Sequence, residues 1–139
     1  MSLFVGKRKT SPIFKSFNFS ILKSDIETRD HVIFMVNRFY DKVKADPLLG
    51  PVFSHVDWPN HLPVMYDFWS SMLLGDRSYF GNPLQKHLPL KIKTQHFERW
   101  LQSFKATIDE HFTGDKAEET KMRAESIAAI FQFKMKLVL

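Results

Sequence analysis

Three polar side chains stand in otherwise apolar stretches of this sequence: Tyr40, His61 and His87. An imidazole can ligate a metal, carry a proton or exchange hydrogen bonds, and a phenol both donates and accepts. Left buried without a partner, such a group costs about 1–3 kcal/mol. Each of the three therefore needs either a satisfied place in the core or a ligand to serve. Taken singly, a histidine on an apolar stripe is more often a hydrogen-bonded core or surface residue than a metal ligand. The chain contains no cysteine. That excludes disulfides, thiolate zinc sites, iron–sulfur clusters and thioether-linked haem. Any metal or haem must then be held by histidine, and a haem must be held without a covalent link.

The elements that position these residues follow from periodicity. Asp25 or Thr28 can cap a first helix with Val32, Val36, Phe39 and Val43 on one face and Tyr40 beside them. Asp46-Pro47 ends it, and Leu48 to Phe53 reads as an apolar corner. A second helix starts near Trp58-Pro59, carries His61, Met65, Phe68, Trp69 and Met72 on one stripe, and ends at Gly75. Residues 76–93 hold Gly81, Pro83 and Pro89, which leaves room only for a short helical piece at Leu84 to Leu88, around His87. A third helix begins at Thr94 with Phe97, Trp100, Leu101, Phe104 and Ile108 at helical spacing, and stops near Gly114. The fourth starts at Asp115, with Glu118 as its capping-box partner and Ala124, Ile127, Ala128 and Phe131 as its stripe. No segment reads as a strand. The expectation is an all-α domain of four helices.

At 139 residues the chain is long enough for one domain with a core of its own. Its 14 phenylalanines suit either an aromatic core or a protein that wraps a flat apolar ligand. The net charge of +5 is uneven: Lys7, Arg8, Lys9, Lys15 and Lys23 precede the first acidic residue, Asp25. Without those five of the 20 basic residues, 15 remain to face 15 acidic ones. The body is formally neutral, so the high pI does not mark a nucleic-acid-binding face. Residues 1–24 read as a basic, mobile N-terminal extension, and 25–139 as the domain. No apolar run is long enough for a signal-peptide core or a membrane span, which points to a cytoplasmic protein with no membrane partner. His31, His55 and His111 read as solvated positions, and Asp115 to Arg123 as the exposed start of the last helix.

Several segments, in this order, resemble the truncated haemoglobins: Arg38-Phe39-Tyr40, Pro47 to Phe53, Phe68 to Gly75, Pro83-Leu84-Gln85-Lys86-His87-Leu88 and Phe97 to Leu101. The resemblance spans about residues 26–135 and is nearest to the third group of that family. The other groups usually carry Gly-Gly pairs at helix junctions, and this chain has none.

That resemblance implies a globin-like two-over-two helical sandwich around one haem b. His87 matches the proximal histidine, whose second ring nitrogen can donate to a backbone carbonyl and fix the ring. Tyr40 and Trp100 match distal donors to a diatomic ligand. His61 matches the distal histidine position and is left with three roles: bonding the ligand, gating entry, or binding the iron itself. Phe39, Phe53, Met65, Phe68, Trp69, Leu84, Leu88 and Phe97 form the expected haem wall, Phe39 and Phe53 foremost. For several of these ordinary core packing is an equal alternative. Lys86, Lys91, Lys93 and His96 are the cations in reach of the propionates.

The leading functional reading is a haem protein that binds O2 and related diatomic gases, with slow release because of its distal donors. An enzymatic reading, nitric oxide dioxygenation or peroxide reduction, fits the same polar pocket. It needs a partner reductase, since the chain has no flavin or nicotinamide domain. A helical interaction module with a bare histidine metal site is disfavoured: His61 and His87 lie 26 positions apart and lack a recognisable third ligand. Nothing in the sequence demands more than a monomer.

Overall fold

The structure is a computed structural model, and it describes residues 23–79, 81 and 92–135. Four helices make the fold: α1 (Arg29–Ala45), α2 (Trp58–Leu74), α3 (Thr94–His111) and α4 (Asp115–Lys134), with a short 3₁₀ turn at Gly50–Phe53. α1 packs against α2 and α3, and α3 packs against α4. The remaining ordered contact of note is an isolated bridge between Ser24 and Phe112. His87, Leu84, Leu88, Lys86, Lys91 and the short helical piece expected around them lie outside the described residues, as does most of the expected basic extension.

α1 begins where the Thr28 hydroxyl accepts the His31 N–H at 3.2 Å. In return His31 Nδ1 accepts the Thr28 N–H at 3.3 Å, the role that glutamate usually plays in a capping box, and the Glu27 N–H at 2.9 Å. Val32, Met35, Val36, Phe39, Tyr40 and Val43 are all buried on one face, so the expected stripe is the one that packs. The helix stops at Asp46, extended because Pro47 follows. The Asp46 carboxylate then organises the corner. It accepts the N–H groups of Leu48 and Leu49 at 2.7 and 3.0 Å, and the Arg99 guanidinium from α3 at 2.7 Å. Gly50 lies so near α1 that a Cβ there would sit 2.9 Å from the Lys44 carbonyl oxygen. A glycine lets the corner fold back tightly, carrying Leu49, Val52 and Phe53 inward.

Asp25 does not cap α1. Its carboxylate accepts the N–H groups of Lys116 and Ala117 at 2.9 and 2.7 Å, which caps α4 from 91 residues away. The expected capping pair of Asp115 and Glu118 is therefore corrected: the N-cap is Gly114, with no side-chain cap bond of its own. Gly114 has φ 136, and a Cβ there would meet the Asp25 carboxyl at 2.5 Å. Only glycine meets both conditions. Two other expectations change. His31 and His111 are half-buried rather than solvated, the first as a cap and the second edge-on to Phe34 at 4.9 Å.

α2 ends at left-handed Gly75. Just beyond it the Asp76 carboxylate accepts hydrogen bonds from the hydroxyls of Ser70, Ser71 and Ser78. Arg29 reaches Asp67 at 2.5 Å and Asp76 at 3.6 Å. This latch ties the start of α1 to the exit of α2. Buried Thr107 and Thr120 satisfy their hydroxyls on carbonyls one turn back, at 2.8 and 2.7 Å.

Candidate functional site

The elements converge on one open-mouthed, mainly apolar cleft. Each part of the chain contributes. Tyr40 comes from α1; Leu49, Val52 and Phe53 from the corner; Met65, Phe68 and Trp69 from α2. Ile92, His96, Phe97 and Trp100 come from the start of α3 and the residue positions before it, and Ile127, Ala128 and Phe131 from α4. The lining is apolar except at a few points, of which Tyr40 and His96 are the most polar.

Tyr40 is only 5% exposed. Its ring meets Phe39 at 4.9 Å, Trp58 at 5.1 Å and His61 at 5.9 Å. Its hydroxyl belongs to the cleft wall, and the buried hydroxyl that lacks a partner among the described residues is that of Tyr79. Burial pushes the pKa of the Tyr40 hydroxyl well above the ordinary phenol value, so it stays protonated and remains a donor. Behind it, Phe104 is stacked between Trp69 at 4.9 Å and Trp100 at 5.5 Å. Phe39 stands edge-on to both Trp100 and Phe104. Such contacts fix the indole and phenol rings in place, so the cleft wall is preformed.

A family model for bacterial-like globins matches residues 24–136. The chain belongs to the bacterial-like globin family. Over 118 residues it is 31% identical to the group 3 truncated hemoglobin of Campylobacter jejuni, covering 80% of this chain and 93% of that relative. The crystal structure of a group III truncated hemoglobin from Campylobacter jejuni matches with a TM-score of 0.75 and 31% identity, over 82% of this chain and 95% of that one. The architecture is thus a truncated globin fold, and membership of the family implies a haem globin.

In this globin the residues expected from the sequence divide into three sets. Tyr40, Phe53, Met65, Phe68, Trp69, Phe97 and Trp100 all line the cleft. Phe39 does not line it; at 1% exposure it is a core residue that braces Tyr40 and Trp100. His61, one turn into α2 and half-buried, is also not part of the lining. It stands edge-on to the rings of Tyr40 and Trp58, at 5.9 and 5.7 Å. The third set, His87, Leu84 and Leu88, lies outside the described residues.

Leu49, Val52, Ile92 and the α4 residues were not among the expected lining. The α4 stripe of Ile127, Ala128 and Phe131 was legible as apolar, but an apolar stripe facing a core and one facing a ligand look alike. The lining fits a haem on this structure's own terms. Its apolar wall suits a flat macrocycle, and the Tyr40 phenol, oriented by ring packing, is a polar point on that wall.

Proposed function

We propose that this globin binds haem b without a covalent link, through His87, and uses Tyr40 and Trp100 to hold a diatomic gas ligand such as O2. The observation that carries the reading is the place of Tyr40: a buried, protonated phenol fixed by ring packing in the wall of an apolar cleft. A protonated phenol on an otherwise apolar wall is a hydrogen-bond donor available to whatever fills the cleft.

The haem supplies an iron able to take up small diatomic molecules. The protein supplies everything else. Tyr40 donates its O–H toward a ligand on which negative charge develops, and ring contacts on several sides keep it from turning away. The half-buried Trp100 offers an indole N–H, which can only donate. His61 stands edge-on to the rings of Tyr40 and Trp58 and outside the cleft lining, which supports positioning of the distal donor or gating of entry as its role. The apolar lining from Phe53, Met65 and Phe97 excludes water and strengthens each of these hydrogen bonds.

The test is a haem titration of the purified protein followed by its absorbance spectrum, with His87→Ala alongside. A stoichiometric Soret band that is lost or shifted to weak binding in His87→Ala is expected. Absence of a Soret band in the unaltered protein would overturn the haem reading. An unchanged affinity and spectrum in His87→Ala would remove His87 as ligand.

A further inference from the structure

α4 is apolar on two sides, and the fold covers only one of them. Ala117, Thr120, Ala124, Ala128 and Phe131 are buried against the rest of the protein. On the opposite side Met122, Ser126, Ala129, Ile130 and Phe133 follow at i, i+4, i+7, i+8 and i+11, which is one continuous helical stripe. All five are exposed. The large ones are strongly so, at 63%, 54% and 61% for Met122, Ile130 and Phe133. Among the described residues four large apolar side chains are exposed, and three of the four share this face. The fourth, Phe34, stands edge-on to His111 with the Arg38 guanidinium over its ring. Single apolar residues scattered on a surface need no explanation, whereas a contiguous stripe marks a contact.

The charges at the two ends of the stripe select what it contacts. The first turn of α4 carries Asp115 and Glu118, and the last turn carries Lys134. Two copies of α4 laid antiparallel put each acidic start beside the other's basic end, and they oppose the helix dipoles favourably. Glu118 already lies 2.9 Å from Lys121, but an exposed pair of this kind is cheaply shared. The antiparallel arrangement sets Met122 of each chain against Phe133 of the other. The small Ser126 and Ala129 then meet at the centre and let the helices approach closely. A parallel pair would instead bring Glu119, three positions before Met122 on the same stripe, against its own copy.

We propose that the outer face of α4 is a self-association surface, on which a second copy of this chain packs its own α4 in antiparallel orientation. The proposal does not depend on the haem reading. About three turns of helix offer less than the ~800 Å² per partner of a standard interface. The dimer is therefore weak, with a dissociation constant on the order of 100 µM.

Sedimentation velocity of the full-length protein, at concentrations on both sides of that value, reads the association. A monomer–dimer equilibrium is expected, and it should be lost in Ile130→Glu. That substitution falls on an exposed position, so its helical circular dichroism should match the unaltered protein. Because the chain has no cysteine, disulfide trapping reads the orientation. Met122→Cys and Phe133→Cys proteins are mixed in equal amounts and oxidised, and the mixed dimer should exceed what random pairing gives. A chain that stays monomeric throughout, as it would if another protein or a lipid surface covers this face, would overturn the proposal. So would a dimer unchanged in Ile130→Glu, or an excess of self-linked dimers.

Discussion

Tyr40→Phe separates two effects that usually travel together, because it removes a hydroxyl at the cleft wall and keeps the ring. The substitution deletes one oxygen from a residue that is 5% exposed and braced by Phe39, Trp58 and His61. It leaves the ring and its packing in place. In the ligand-free protein the ring packing is kept and only a cleft-wall hydroxyl disappears, so stability should stay within about 1 kcal/mol. For a chain of this size that is roughly 3–5 °C in the melting temperature. In the haem-loaded protein the same change removes a donor to the bound ligand, on the order of 1.5–3 kcal/mol, or roughly tenfold to 150-fold in O2 release. Trp100 remains on the same wall, which places the expected value in the lower part of that range. Urea unfolding of the apoprotein gives the first number and stopped-flow O2 dissociation the second. An unchanged O2 dissociation rate would refute the distal role. A loss of more than about 1 kcal/mol in the apoprotein would show that the hydroxyl has a protein partner.

Two further outcomes follow from the scaffold. Asp25→Ala should destabilise the protein by about 2–3 kcal/mol, because it removes charged acceptors from two N–H groups at the start of α4; Asp25→Asn should lose about half, and a denaturation midpoint unchanged in both would show that α4 is capped otherwise. At Asp76 the hydrogen bond from Ser70 comes first, with those from Ser78 and Ser71 adding, and together they hold its carboxyl down to about 2 against an ordinary 3.8. A depressed carboxylate pKa contributes stability that is complete above the unfolded value and is lost as pH falls through the folded one. The latch at the exit of α2 should therefore stay closed down to about pH 4 and open between about pH 4 and pH 2. Hydrogen exchange of the Ser78 amide, which donates to Asp76 at 3.1 Å, should report it, and opening already at pH 5–6 would contradict the assignment.

The sequence alone determined the helices, and for a plain physical reason. Each carries its apolar residues at a spacing of three and four, so Val32 to Val43 and Phe97 to Ile108 had to face inward whatever they packed against. Pro47 and Gly75 likewise announced ends that depend only on local backbone chemistry. The order of Tyr40, the Pro47 to Phe53 corner and Phe97 to Leu101 carried the family resemblance, because those segments hold the same wall in the same sequence order.

What depends on partners distant in the chain was decided by the tertiary structure. Asp25 reads as a cap for the nearest helix, yet it caps α4, because the chain's start crosses that helix's end and Gly114 leaves room. Phe39 and Phe53 looked equivalent as apolar aromatics; only packing separates the core brace from the cleft wall. His61 shares a helical stripe with Met65, but its place against Tyr40 rather than in the lining comes from how α1 meets α2. Tyr40 shows the division best. Its position on an apolar face was written in the sequence, whereas its seat in the cleft wall, against Trp58 and His61 of the neighbouring helix, exists only once the helices have closed around it.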